Sequence, residues 1–236
     1  MKKWMGALAA VLALGLLYAA PAVAQSEAKE EAEPAADAPP EGWAPLEFEL
    51  PEPFFGGTPL DYWSPNLEPE SFKPRDPFFA PPGTTNLAAD AEVTSSFDAP
   101  LVGELAMLTD GDKSYAKSSM LELGEGVQWM QLDFGAPKDL YAVLLWHFHE
   151  GKRVYFDIVV QASNDPEFEE GVTTLYNNDH DNSAGLGQGD DKEYIESEKG
   201  RLIDAGGVNA QYLRLYSNGN TANDKNHYVE VEVYGK

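Results

Sequence analysis

Period-two alternation governs the chain from Asn86 to Lys236. In Trp129–Phe134, Met130, Leu132 and Phe134 share one face. In Leu144–His149, Leu144, Trp146 and Phe148 point one way, and Leu145, His147 and His149 the other. Phe156, Ile158, Val160 and Ala162 align in the next run, Leu213 and Leu215 in another, and Val229, Val231 and Val233 in the last. A two-residue period fits extended strands with one face inward and cannot serve a helix. Turn-rich clusters divide the runs: TDGD, GAPKD, SNDPE, NNDHDNSAGLGQGDD and SNGNTANDKN. The alternation predicts an antiparallel all-β domain over 86–236, a sandwich or jelly roll.

Charge narrows the partners. Sixteen Lys and Arg face forty Asp and Glu, a formal net charge of -24. Binding a phosphate backbone or anionic lipid needs a cationic surface, so nucleic acid is excluded as a partner. The absence of cysteine removes disulfides, thiol catalysis and Cys-ligated metals.

The residues before the β domain fall into three parts. Lys2 and Lys3, an apolar stretch from Trp4 to Ala20, and Ala22-Val23-Ala24 before Gln25 read as a secretory signal over 1–24. The alternative is an uncleaved anchor, for which the stretch is marginal in length. Export places the mature chain in a secreted, periplasmic or cell-envelope setting, with no transmembrane segment once the signal is removed. Residues 25–41 carry six acids and no aromatic, the composition of a disordered acidic tether. Residues 42–85 form a Pro/aromatic arm. Thirteen of the seventeen prolines lie between Pro34 and Pro82. Nine large rings accompany them: Trp43, Phe48, Phe54, Phe55, Tyr62, Trp63, Phe72, Phe78 and Phe79. So many rings expose too much apolar surface for a free linker. The arm is expected to dock on its own domain, with Trp63, Phe72, Phe78 and Phe79 as anchors, or else to bind a partner protein. Proline cannot donate to a ladder, so the arm should cross a sheet face and not extend a central strand.

The order of the short motifs in 86–236 resembles the coagulation-factor 5/8 type C, or discoidin-like, domain. The residues are Asn86-Leu87-Ala88, Val93–Ser96, Leu108–Asp112, Gln128–Gly135, Val160–Asp165, Ala210–Leu215 and Val229–Gly235. The resemblance implies an eight-stranded antiparallel jelly roll, galactose-binding-domain-like and related to carbohydrate-binding modules. It also implies a non-catalytic binding module for carbohydrate or another cell-surface ligand. Many members hold a structural calcium ion. Carried over here, Asp110, Asp112 and Glu230 would supply carboxylates, and Met107, Tyr115 and Val229 carbonyl or hydroxyl oxygens. Two carboxylates on a tight glycine turn suit the flexible oxygen cage of Ca²⁺.

In sugar-binding relatives, loops at one end of the barrel offer His, Arg, Asn and an aromatic ring. The resemblance therefore points to His147, His149, Arg153, Asn218, Asn220, Asn223, Asn226 and His227. Where relatives often carry Trp before the last strand, this chain has His227. Trp129 reads as packing against a loop or the arm, and Tyr212 and Tyr216 as sheet-face residues. Two rival readings stand beside this one. His147, His149, Glu150, Asp179, His180 and Asp181 could build a metal-dependent hydrolase site. Alternatively the chain is a structural cell-envelope protein whose arm binds a partner.

Overall fold

A computed structural model describes residues 39–54, 61–97 and 99–236. The expected signal sequence (1–24), most of the expected tether (25–41) and Phe55 lie outside the described residues. Ten strands follow in chain order: β1 (Ala44–Pro45), β2 (Phe79–Ala80), β3 (Thr85–Asn86), β4 (Glu92–Ser95), β5 (Leu121–Glu125), β6 (Gln128–His147), β7 (Val159–Ser163), β8 (Thr173–Asn177), β9 (Arg201–Ser217) and β10 (Lys225–Gly235). All strand pairs are antiparallel. The helical segments are short 3₁₀ turns. The expected antiparallel jelly-roll sandwich is the observed fold.

The sandwich is built on one long ribbon. β6 and β9 pair from Gln128↔Ser217 to Leu145↔Arg201, with register shifts between Asp133 and Lys138 and between Leu140 and Ala142. Extra residues in one strand bend it and increase its twist. The ribbon therefore belongs to both layers. Its first half carries β4, β7 and, beyond β7, β8. Its second half carries β10, and β10 in turn carries β3 and β5. The core lies between the layers. Met130, Leu132, Leu213, Leu215, Val160 and Ala162 meet Val143, Leu145, Val231 and Val233 there.

The sequence pattern also hides apolar residues on the opposite face. Leu144, Trp146, Phe148 and Val229 form a second buried cluster with Met120. Val229 was expected to align with Val231 and Val233. A bulge between Tyr228 and Glu230 reverses its side: Tyr228 pairs with His147, and Glu230 already pairs with Trp146. Glu230 and Glu232 thus share the outer face with Trp146 and Leu144, and both are buried.

The arm covers that face. Phe48 packs on the second cluster and meets Tyr234 edge-on, ring centroids 5.2 Å apart. Trp43 meets Tyr141 at 5.8 Å, and Phe54 stacks on Tyr115 at 4.1 Å. Polar contacts fix the rest. Arg75 donates to the carbonyls of Lys199 and Gly200 at 2.6 and 2.8 Å. Lys199 donates to the carbonyls of Ser71 and Lys73. Glu68 accepts from Arg201 at 2.9 Å, and Lys152 pairs with Glu70. Among the described residues, the arm pairs with itself through β1 and β2, and only its last residue, Thr85 of β3, pairs with β10. Two of the expected anchors are not anchors: Trp63 is 82% exposed and Phe72 83%. Phe78 and Phe79 are half-buried. Rings earlier in the arm do the docking, because they lie over the apolar outer face of β6 and β10.

A close approach fixes the Glu198–Gly200 turn that receives Arg75 of the arm. Gly200 sits at φ +62°, and a Cβ there would meet the Trp146 ring at 2.7 Å. The Trp146 indole N–H donates to the Glu198 carbonyl at 2.9 Å.

A chain beginning at Asn86 should melt lower than one retaining the arm, or aggregate, since Leu144, Trp146 and Val229 would meet water. Phe48→Ala should cost about 1–3 kcal/mol in urea unfolding, whereas Trp63→Ala and Phe72→Ala should stay within about 0.5 kcal/mol. Equal losses at all three rings would refute this account of the docking.

Candidate functional site

The residues expected to contact a ligand divide in the structure. His147 is fully buried; its Nδ1 lies 2.7 Å from Glu196 Oε1 and its ring stacks on Tyr155 at 4.4 Å. His149 is also buried, with Nδ1 3.2 Å from the His147 carbonyl. His227 is buried, with Nε2 3.1 Å from Glu122 and Nδ1 facing the Tyr155 hydroxyl at 3.2 Å. Arg153 and Asn220 also approach that Nδ1, at 3.4 and 3.3 Å. Burial first, and then Arg153, pushes His227 down to about 4. The imidazole is therefore neutral at neutral pH, donating from Nε2 and accepting at Nδ1. Asn226 spends its whole amide on the fold: Oδ1 accepts from Ser217 and Gly219, and Nδ2 donates to the carbonyls of Gly124 and Gly126. Asn223 is exposed and accepts from the Lys225 N–H. These groups make a polar network that closes one end of the sandwich. Buried polar atoms must be paired, and β-strand ends leave many to pair.

Asn218 alone of that set lines an open cleft. The cleft holds about 350 Å³ and is lined by Phe156, Asp157, Asn178, His180, Asp181, Ser183, Glu193 and Asn218. It lies where β7 begins and where β8 and β9 end, since Val159 pairs with both Asn177 and Tyr216. Asp157 takes a left-handed conformation, φ 51°, which Asp tolerates better than most residues. Its Oδ2 accepts from Ser183 Oγ at 2.6 Å and from the Asn218 amide at 2.8 Å. Asp179 is fully buried and accepts the N–H groups of Ser183 and Ala184, both at 2.9 Å. Burial raises its carboxyl, with Asp157 adding to the effect, while hydrogen bonds from Ser183 lower that of Asp181. The long Gly-rich loop folds on itself through these bonds.

The arm backs one wall of this cleft. Tyr62 Oη donates to Glu193 Oε2 at 3.0 Å, and its ring lies 5.9 Å from Phe156. The Glu193 backbone is held on both sides, by the Glu68 N–H at 2.9 Å and the Asn66 carbonyl at 3.1 Å. Burial, and then Glu193, pushes Tyr62 up to about 12, so its hydroxyl stays a donor.

Asp110, Asp112 and Glu230 mark a second place: Glu230 is buried on the outer face of β10, and Asp110 and Asp112 are exposed on the loop beside it. The Gly111 N–H donates to Glu230 Oε2 at 3.1 Å. Burial, with Asp110 and Glu232 adding to it, pushes Glu230 up to about 8. Lys113 sits close by, 2.7 Å from Glu232. Asp112 is engaged within its loop by Ser114 and Ser119, at 3.1 and 2.7 Å, and the Tyr115 ring is stacked under Phe54. Met107 lies in a short 3₁₀ turn with its sulfur 3.3 Å from the Glu104 N–H. Glu230, buried with Asp110 close by, is the part of the expected calcium set that could hold a hard cation, but Asp110, Asp112 and Glu230 do not bring three carboxylate oxygens as close together as Asp157, Asp179 and Asp181 do.

The hydrolase arrangement is not assembled. Among the described residues, the group of carboxylates and imidazoles close enough to share an ion is Asp157, Asp179 and Asp181, without His147 or His149. Phe156, Asp157, Asn178, Ser183 and Glu193 are the cleft residues that sequence reasoning did not assign to a site. The density of Asn, Asp and Gly in NNDHDNSAGLGQGDD marked the loop, but nothing local linked it to Asp157.

No protein-family model matches the chain, and no curated protein matches it. Solved structures similar to it include a family 89 glycoside hydrolase from Clostridium perfringens, at 19% identity and TM-score 0.45, covering 64% of this chain and 14% of that one. A chitosan-binding module from a chitosanase/glucanase of Paenibacillus sp. IK-5 is 21% identical with TM-score 0.42, over 64% of this chain and 99% of the module. The lectin binding domain of Lectinolysin, complexed with Lewis b, is 17% identical with TM-score 0.46, over 65% of this chain and 97% of the domain. The chain thus spans about one-seventh of the length of the glycoside hydrolase.

The neutral, buried state of His227 has a consequence for acid stability. Its folded pKa lies below the unfolded value of 6.5, so the unfolded chain binds the extra proton. Stability should fall as pH drops from about 6.5 toward 4, read as a falling urea midpoint. His227→Gln should flatten that part of the profile; an unchanged slope would count against the buried neutral imidazole.

Proposed function

We propose that this chain is an exported, non-catalytic carbohydrate-binding module whose ligand occupies the cleft beside Asn218. The observation that carries the reading is the convergence of short-range polar groups on one cleft with an aromatic floor. Asp157, Asp181 and Glu193 are acceptors, Asn178 and Asn218 supply amides, and Phe156 offers a ring face. A sugar needs this combination: paired hydrogen bonds to neighbouring hydroxyls and an apolar surface for its C–H face. The signal-like first 24 residues support export. Among the described residues, no helix is long and apolar enough to cross a membrane.

A structural calcium ion belongs to the same proposal. Asp110 and Glu230 would hold it, with Asp112 or backbone oxygens near Met107, Tyr115 and Val229 completing the cage. The ion would relieve the burial of Glu230 and tie the 110–113 loop to β10. The reading of a partner-binding arm draws support from Trp63 and Phe72, whose rings are almost wholly exposed.

Glycan-array screening followed by calorimetry tests the binding reading. Asn218→Ala and Asp157→Ala should weaken the selected glycan at least tenfold, about 1.4 kcal/mol or more, while His147→Ala should lower stability. Hydrolysis of a glycoside that is lost in the cleft variants would overturn the non-catalytic assignment.

Calcium should show itself through pH. Without the ion, Glu230 has a folded pKa near 8 against an ordinary 4.5, so the folded chain binds the extra proton. That contribution is complete below about 4.5 and is lost as pH rises through 8. Added Ca²⁺ should therefore raise the melting temperature most at pH 8 and little at pH 5. Identical melts in calcium and chelator at pH 8 would reject the site, and Glu230→Gln should abolish the extra calcium stabilisation seen at pH 8 over pH 5.

A further inference from the structure

The acidic part of the cleft is organised more tightly than hydrogen bonding to a sugar requires. One oxygen from each of Asp157, Asp179 and Asp181 lies within 4.8 Å of the other two. Two ligands at about 2.4 Å from one Ca²⁺ can be at most about 4.8 Å apart, so three such oxygens can surround a single ion. Three carboxylates this close repel one another, and no lysine or arginine lines the cleft to offset them. The hydrogen bonds described above orient the carboxylates without exhausting them. Each carboxylate oxygen carries two lone pairs. Asp179 uses one on each oxygen, for Ser183 and Ala184. Asp157 uses Oδ2, for Ser183 and Asn218. Asp181 uses Oδ1, for Ser183.

A second observation points to a ligand in the same place. Asn178 lines the cleft and is only 2% exposed. Its Oδ1 accepts the Ile158 N–H at 2.7 Å, which fixes the amide's orientation. The Nδ2 group is buried with no partner. A buried amide donor needs an acceptor. Oxygen bound in the cleft, as water or a ligand hydroxyl on a cation, would supply one.

We propose that Asp157, Asp179 and Asp181 form a divalent-cation site of the calcium class, facing the cleft and separate from the Asp110–Glu230 pair. All the ligands are hard oxygens, which selects calcium or manganese over zinc. Asp179 anchors the ion from the buried side, while Asp157 and Asp181 approach from two different loops. The ion would therefore cross-link the β6–β7 connection to the β8–β9 loop. Its remaining coordination positions face the open cleft, where vicinal hydroxyls of a ligand can replace water. That last step rests on the carbohydrate reading; the cation site does not.

Calcium titration of the chelator-stripped full chain, by calorimetry and by Tb³⁺ luminescence, tests the site. The wild-type chain should bind an equivalent that Asp157→Asn and Asp181→Asn each remove or weaken at least tenfold, and that Glu230→Gln leaves in place. Asp181 is exposed, so its variant should fold, and a melting curve verifies this. Wild-type titrations in folded Asp157→Asn and Asp181→Asn, or no calcium binding by the wild type, would overturn the site. The array glycan is then measured in Glu230→Gln with calcium and with chelator. At least tenfold weaker binding in chelator supports the bridging role, and equal binding removes it. Cation binding with no glycan binding at all would keep the site and defeat the carbohydrate reading.

Discussion

The bent pairing of β6 with β9 is the constraint on which the rest of the molecule depends. One ribbon runs through both layers, and its register shifts near Asp133 and Leu140 turn it from one layer into the other. Because the ribbon is continuous, the inner face keeps its alternating apolar residues on both sides of the bend. The same continuity leaves Leu144 and Trp146 facing outward on the second half. An apolar outer face cannot remain in water at no cost, so the fold is incomplete without a cover. The arm is that cover. This is why a proline-rich segment, which can donate few backbone hydrogen bonds, nonetheless lies ordered across the sandwich.

Covering the face has an electrostatic consequence. Glu230 and Glu232 share it with Trp146 and Leu144, and the arm and the 110–113 loop shut them from solvent. Lys113 answers Glu232 and also donates to the Glu49 carbonyl of the arm. Glu230 is left with the Gly111 N–H and a strongly raised pKa. The chain's large negative charge therefore has two settings. Most acids are solvated, where they cost little. A few are held close together or buried, where only a proton or a cation can offset them.

The arm also reaches the cleft, which unites two parts that the sequence presents as separate. Tyr62 and the backbone of Asn66 and Glu68 hold Glu193 in place. Arg201 binds Glu68 while lying over the rings of Tyr176 and Tyr194, at 5.1 and 4.8 Å. A change in the arm can thus alter the cleft wall without touching a ligand.

The alternating runs by themselves determined the all-β class, the inner faces of β6 and β9, and the sidedness of Leu144 and Leu145, because a two-residue period is a local property of extended backbone. The crowding of aromatic rings among prolines marked the arm as more than a linker. What only the tertiary structure decided was everything that depends on registration between distant segments. The bulge between Tyr228 and Glu230 interrupted an apparently regular run and carried Val229 outward, since one inserted residue inverts the side-chain order. Trp63 and Phe72 looked like anchors because they are near the domain in sequence, yet the apolar face lies elsewhere. His147, His149, His227 and Asn226 looked like a binding surface because their side chains suit a sugar, yet strand ends turned them inward to pair with Glu196, Glu122 and backbone. Asp157 carries no local signal at all. It meets Asp179 and Asp181 only because β7 and β8 are neighbours, and their ends bring two loops, more than twenty residues apart in sequence, to one cleft.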